Sequence, residues 1–193
     1  MRYFLPAYFV VCLSLVFVVR VVLVRRRTGA DPFVERWRDD LRGYVGRMLV
    51  VVVALVALDV LAVGAGARLV PIEVLRLPAI EAAGAALLVA ALAWIVLAQV
   101  HMGDSWRIGV DPDAAKTPLI TAGLFGRSRN PVFLGMRVAM LGLVLAAPNV
   151  LSLTAALLAE VLIQVQVRVE EVYLDGVHGE RYRSYRRRVR RWI

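Results

Sequence analysis

Residues 131–167 read PVFLGMRVAMLGLVLAAPNVLSLTAALLAEVLIQVQV, with Arg137 and Glu160 as the only charges and a break at Pro148-Asn149. The pattern predicts two apolar helices joined by a tight turn. Each helix crosses the ~30 Å hydrocarbon layer once, so both outer ends emerge on one membrane face. Two charged clusters, Ser128-Arg129-Asn130-Pro131 before the hairpin and Arg168-Val169-Glu170-Glu171 after it, are thereby expected to meet in space.

The surrounding composition agrees. The 193 residues are 60% hydrophobic with mean hydropathy +0.69, above the roughly 45–50% apolar share of soluble domains. Apolar runs at 4–24, 44–63, 79–100, 131–147 and 150–167 predict an all-α polytopic membrane protein with about five transmembrane helices. Two regions are expected: a three-span part, 1–100, and a core, 101–193, made of a loop, the hairpin and C-terminal helices. The first run is too long for a secretory signal and no small-x-small cleavage site follows it, so it reads as a retained anchor.

Basic residues set an expected orientation. Seven Arg lie between Arg25 and Arg47, four basic residues between Arg107 and Arg129, and eight from Arg168 onward, against Arg2, Arg68 and Arg76 on the other face. The positive-inside rule then places the N-terminus outside and the 101–130 loop and the tail in the cytoplasm, in a plasma (inner) membrane. The net charge of +9 is explained by these boundary arginines and membrane lipids, so no nucleic-acid partner is expected. Cys12 is the single cysteine, and His101 and His178 are isolated, so no metal site is expected.

Between the spans, the 25–47 segment carries Phe33, Trp37 and Leu41 at four-residue spacing among charges, the pattern of an interfacial helix or surface linker. Gly64-Ala65-Gly66 lacks a phosphate-loop context and reads as a packing or turn element. The 101–130 loop, with Gly103, Gly109, Pro112, Pro118, Gly123 and Gly126, predicts an ordered functional loop. Past Val167 a polar helix is expected, interrupted at Gly176 and Gly179, then a second helix.

Within the hairpin, Glu160, Gln164, Arg168 and Glu171 fall on one helical face. Arg137 and Glu160 lie about equally far from the Pro148-Asn149 turn, hence at similar depth, and are predicted to pair, either structurally or toward substrate. Adjacent Glu170 and Glu171 point about 100° apart, so one is free for a ligand while the other pairs with Arg, unless both are solvated. Arg168 either snorkels to headgroups or holds a substrate carboxylate.

Thr121-Ala122-Gly123-Leu124-Phe125, Arg129-Asn130-Pro131-Val132-Phe133-Leu134-Gly135, and Arg168-Val169-Glu170-Glu171 with Leu174, Gly179, Glu180, Tyr182 and Tyr185 together resemble the isoprenylcysteine carboxyl methyltransferase family. Its pattern is approximately T-x-G-x-Y, R-H-P-x-Y-x-G and E-E-x-x-L-x-x-x-F-G-x-x-Y-x-x-Y; phospholipid N-methyltransferases share the architecture, some with Asn-Pro for His-Pro. The resemblance, over about the C-terminal half, implies an S-adenosylmethionine pocket closed by the loop and tail and open laterally to a lipophilic or lipid acceptor. It implies that Gly123, Arg129, Asn130, Pro131, Phe133, Gly135, Glu170, Glu171 and Tyr182 hold the cofactor, with Arg168 and Glu171 catalytic. Asn130 stands where His is common and keeps hydrogen-bonding capacity; Phe133 stands where Tyr is common and lacks the hydroxyl.

Methyl transfer from a sulfonium depends on positioning and desolvation. A carboxylate acceptor would need only an orienting Arg168, whereas an amine must lose a proton, with Glu171 as the expected base and His101 as a lesser one. Two other readings are a non-enzymatic membrane scaffold or permeation subunit, and a nicotinamide-dependent reductase of the sterol-reductase type, which would need further spans.

Overall fold

The computed structural model describes residues 1–29, 41–67, 69–106 and 118–193, and their architecture is helical throughout. Helix α1 (Phe4–Leu13) runs through a π turn (Ser14–Val19) into α2 (Arg20–Thr28). Then follow α3 (Leu41–Ala65), α4 (Pro78–Met102), α5 (Pro131–Ala146), α6 (Val150–His178) and α7 (Glu180–Arg188). In hydrocarbon only a helix satisfies every backbone group internally, and side chains such as Val18, Leu61, Val89 and Leu157 face outward over apolar surface.

Among the described residues four helical stretches are long and apolar enough to cross a membrane: Phe4–Thr28, Gly43–Ala65, Pro78–Met102 and Val150–His178. The fourth expected span differs: α5 has 16 residues, about 24 Å at 1.5 Å per residue, and is the short arm of an unequal hairpin. The long arm overshoots the membrane. Gly176 does not interrupt it, because a single glycine costs a helix only about 1 kcal/mol; the break falls at Gly179, with φ +53°. Of the 25–47 segment expected at the interface, 25–28 ends α2 and 41–47 opens α3, while 30–40, like Arg68 and 107–117 of the long loop, lies outside the described residues.

Helices α4 and α5 are pressed together through glycine. A Cβ on Gly84 would lie 2.3 Å from the Ala146 amide nitrogen, and one on Gly135 would lie 2.5 Å from Ile95 Cγ1. Such small-residue contacts let helix backbones meet where no hydrophobic effect drives them together. Gly64 likewise admits Pro6, and Gly66 turns the chain with φ +75°, so that triplet serves both packing and turning.

The turn between α5 and α6 is pinned from three sides. The Asn149 side chain accepts from the Leu151 and Ser152 amides, and Ser152 Oγ accepts from the Asn149 amide, a capping box. Asn149 Nδ2 donates to Asp59 Oδ1 of α3 at 2.8 Å. Ile72 and Val150 amides donate to the Pro148 and Val70 carbonyls, pairing the turn with the α3–α4 connection.

At the opposite end, Arg20 donates to the Gln99 and Gly103 carbonyls at the C-terminus of α4, where a cation complements the helix dipole. Gln99 Nε2 in return donates to the Val16 carbonyl, within the π turn. Gly84→Ala is expected to cost about 1–3 kcal/mol and lower the melting temperature in detergent by roughly 5 °C, whereas Gly46→Ala, with open space around it, should not lower it. Equal melting of the two variants would show that the α4–α5 approach is not tight.

Candidate active site

Pro131 fixes φ at the first position of α5 and needs no amide partner, so the chain enters that helix sharply from Asn130. Trp94 Nε1 donates to the Pro131 carbonyl at 2.9 Å and holds the entry against α4. Trp94 is eight residues before Met102, which sets this entry about 12 Å below the end of α4. The motif is recessed.

Ahead of it, Gly123 adopts φ +62°, and a Cβ there would come 2.7 Å from His101 Nδ1. That space admits His101, whose Nδ1 accepts from the Leu124 amide at 3.2 Å. Gly123 therefore shapes the loop, and His101 serves as a backbone acceptor.

The centre of the site is the Glu171 carboxylate. Oε1 accepts from Arg129 Nη2 at 2.9 Å and Arg191 Nε at 3.0 Å, and Oε2 accepts from Arg191 Nη2 at 2.7 Å. Asn130 Nδ2 approaches Oε1 at 3.5 Å. Arg129 and Glu171 keep only 8% of their side-chain surface exposed, so each depends on the other for compensation.

Residues after α7 complete the cluster. Arg129 donates through Nη1 to the Val189 carbonyl at 2.7 Å and through its amide to the Arg190 carbonyl at 2.9 Å. Ser128 Oγ, fully buried, donates to the Arg191 carbonyl at 3.1 Å and accepts from the Asn130 amide at 3.2 Å.

Glu170, half-buried on the next direction of α6, makes no hydrogen bond or ion pair among the described residues. Tyr182 is 1% exposed and its hydroxyl has no partner, while neighbouring Tyr185, edge-on at 6.1 Å, donates to the Phe125 carbonyl at 2.6 Å. Burial first, and Glu171 second, push the Tyr182 hydroxyl up to about 12. Beside these tyrosines an open groove of about 420 Å³ separates Leu119 and Thr121 from Glu180, Arg181, Ser184, Tyr185 and Arg188.

Of the residues expected in the site, Arg129, Asn130 and Glu171 are brought into contact, with Tyr182 buried beside them. Phe133 packs against the core and Gly135 against Ile95. Arg168 is exposed and turns back onto Gln164, donating to its carbonyl at 2.8 Å and its side chain at 3.3 Å. Arg137 and Glu160 pair across the hairpin at 2.7 Å, at the matched depth. Sequence reasoning missed Arg191, since an Arg-rich tail carries no periodicity that says which arginine folds inward. No group of three His, Cys, Asp or Glu suited to a metal occurs among the described residues.

A family model described as "Phospholipid methyltransferase" matches residues 80–181. No curated protein and no solved structure matches.

Removing the central carboxylate leaves Arg129 buried and unpaired, so Glu171→Ala is expected to cost about 3–5 kcal/mol, against under about 1 kcal/mol for exposed Arg168→Ala; thermal melts in detergent compare them. The orphaned Tyr182 hydroxyl favours its protonated form in the fold. The stability it supports is complete below the unfolded value near 10 and is lost as pH rises through about 12. Tyr182→Phe should therefore melt no lower at pH 8 and lose less stability at pH 11, read from the same melts.

Proposed function

From the premise that the chain belongs to the phospholipid methyltransferase family, we propose that it transfers a methyl group from S-adenosylmethionine to the amine nitrogen of a phospholipid headgroup. The site is recessed against α4, and Tyr185 at its edge also lines the open groove beside α7. The basic residues at this end support a cytoplasmic location for it under the positive-inside rule.

The residues present fit the donor. The Tyr182 hydroxyl, buried without a partner, suits a ribose hydroxyl. The Arg191 guanidinium, 31% exposed, offers a counter-charge for the donor's carboxylate. When bound, the donor supplies a methyl on positive sulfur, open to in-line displacement by a nitrogen lone pair.

What the chain contributes is order and a place for one proton. Glu171 is the organiser, because its oxygens are taken by Arg129 and Arg191, which hold the loop and tail against α6 and keep water out. Glu170 is the base. An ammonium acceptor would give its N–H proton to the Glu170 carboxylate, leaving its lone pair to take the methyl group that the donor would supply.

The single observation that carries this reading is the division between the adjacent carboxylates, one saturated with guanidinium and one without a partner. A carboxylate acceptor, as in isoprenylcysteine methylation, needs no base and would be oriented by Arg168. That guanidinium is directed to Gln164, which favours the amine.

Purified protein in phosphatidylethanolamine vesicles should incorporate radiolabelled methyl from S-adenosylmethionine into lipid. Glu170→Gln should reduce incorporation by about 10²-fold or more with unchanged melting temperature. No incorporation into lipid, together with no donor binding by calorimetry, would remove the proposal; methylation of S-farnesylcysteine alone would replace the amine by a carboxylate.

A further inference from the structure

The ion pair that joins α5 to α6 is only partly covered. Arg137 and Glu160 meet at 2.7 Å, yet 31% and 40% of their side-chain surfaces remain exposed. Glu160 lies ten residues past Val150, about 15 Å along α6, which is the middle of the ~30 Å hydrocarbon layer. Charges at that depth are costly against lipid tails and are found facing a bundle interior or a water-filled cavity.

The pair does not stand alone. Gln164 Nε2 donates to Glu160 Oε1 at 2.8 Å, and Arg168 donates to Gln164 one turn further on. A hydrogen-bonded stripe thus climbs from mid-membrane to Arg168, one turn short of Glu171. Adjacent directions of the same helix are apolar and open, with Leu157 60% and Val161 62% exposed. The linked polar side chains Glu160 and Gln164 lie on the side of α6 that carries the pair with α5.

Of the two faces of α5, the one against α4 is sealed by backbone contact at Gly84 and Gly142. The one against α6 is bridged by long side chains at Arg137 and Glu160. Over that bridge lies Trp192, with the Arg137 guanidinium 4.5 Å from its ring centre. Trp192 directly follows Arg191, which grips Glu171. One short segment thus covers the seam and fastens the site.

We propose that the α5–α6 seam is a hydrated crevice through which the acceptor's polar headgroup passes from the bilayer to Glu170, with Trp192 as its cover. Calling the occupant the acceptor rests on the methyltransferase reading above; the crevice itself does not. Arg137 and Arg168 outnumber Glu160 along the seam, which fits a headgroup bearing an anionic phosphate.

Thiol accessibility in proteoliposomes tests the crevice without donor or turnover. In a Cys12→Ser background, Gln164→Cys should react with a charged, water-soluble methanethiosulfonate about tenfold faster than Val161→Cys, which lies less than one turn away on the lipid side. Adding Trp192→Ala should accelerate the Gln164→Cys reaction severalfold. Short-chain phosphatidylethanolamine should slow it, and an alkyltrimethylammonium of equal chain length should not.

Equal reaction at the two cysteines overturns the crevice, and an unchanged rate in Trp192→Ala overturns the cover. Fast reaction unprotected by the phospholipid, or protected equally by the cation, overturns the proposed occupant. Protection in a protein that transfers no methyl group would leave the seam standing and remove only the chemistry assigned to Glu170.

Discussion

The Glu171 carboxylate is the constraint on which the functional end of this protein depends. Burying one carboxylate and one guanidinium costs several kcal/mol per ion unless each finds its partners in good geometry. Here the demand is met from three separate parts of the chain: the turn before α5, the end of α6 and the segment after α7. No two of these are held together by sequence proximity. An unpaired charge is the penalty for any one of them leaving, so the carboxylate converts three flexible termini into one wall.

At the other end of the hairpin the fold solves a different problem with neutral donors. Asn149 caps α6, satisfies its own turn and reaches Asp59 of α3, while the α3–α4 connection pairs with Pro148 and Val150. These hydrogen bonds fix where α5 begins its return. The glycine contacts with α4 then fix its rotation, since a Cβ at Gly84 or Gly135 would meet backbone or a buried isoleucine. With both position and rotation set, Arg137 has to face α6, and Arg129 has to enter the site from above it.

Depth was legible in the sequence, and identity of partners was not. Equal distances from Pro148-Asn149 placed Arg137 opposite Glu160, because helical rise is fixed and the turn supplies a common origin. The same rule brought Arg129 and Asn130 to Glu171. It could not say which of two neighbouring glutamates would be paired, since that depends on which arginine arrives from a tail of many. Arg191 carries no distinguishing neighbour, and Trp192 reads as an ordinary interfacial aromatic until its ring is found on Arg137. The bounds of α5 were legible in the short apolar run 131–147, whereas the depth at which it starts was not, because Trp94 of α4 sets it through the Pro131 carbonyl.

That shortness has a mechanical consequence for a membrane enzyme. A full-length α5 would carry its polar entry to the membrane surface, far from any acceptor atom held at the lipid boundary. Starting about 12 Å lower than the end of α4, with Trp94 fixing the Pro131 carbonyl, α5 leaves a step that the 118–130 segment and α7 roof over. Polar groups within that step lie beside the buried Tyr182 and Tyr185, so charge interactions among them act at lower effective dielectric than at the surface. Under such conditions the difference between a carboxylate saturated by guanidinium and a neighbour left without a partner is large. An unequal hairpin is therefore enough to put two adjacent glutamates in different surroundings, one saturated by guanidinium and one without a partner among the described residues.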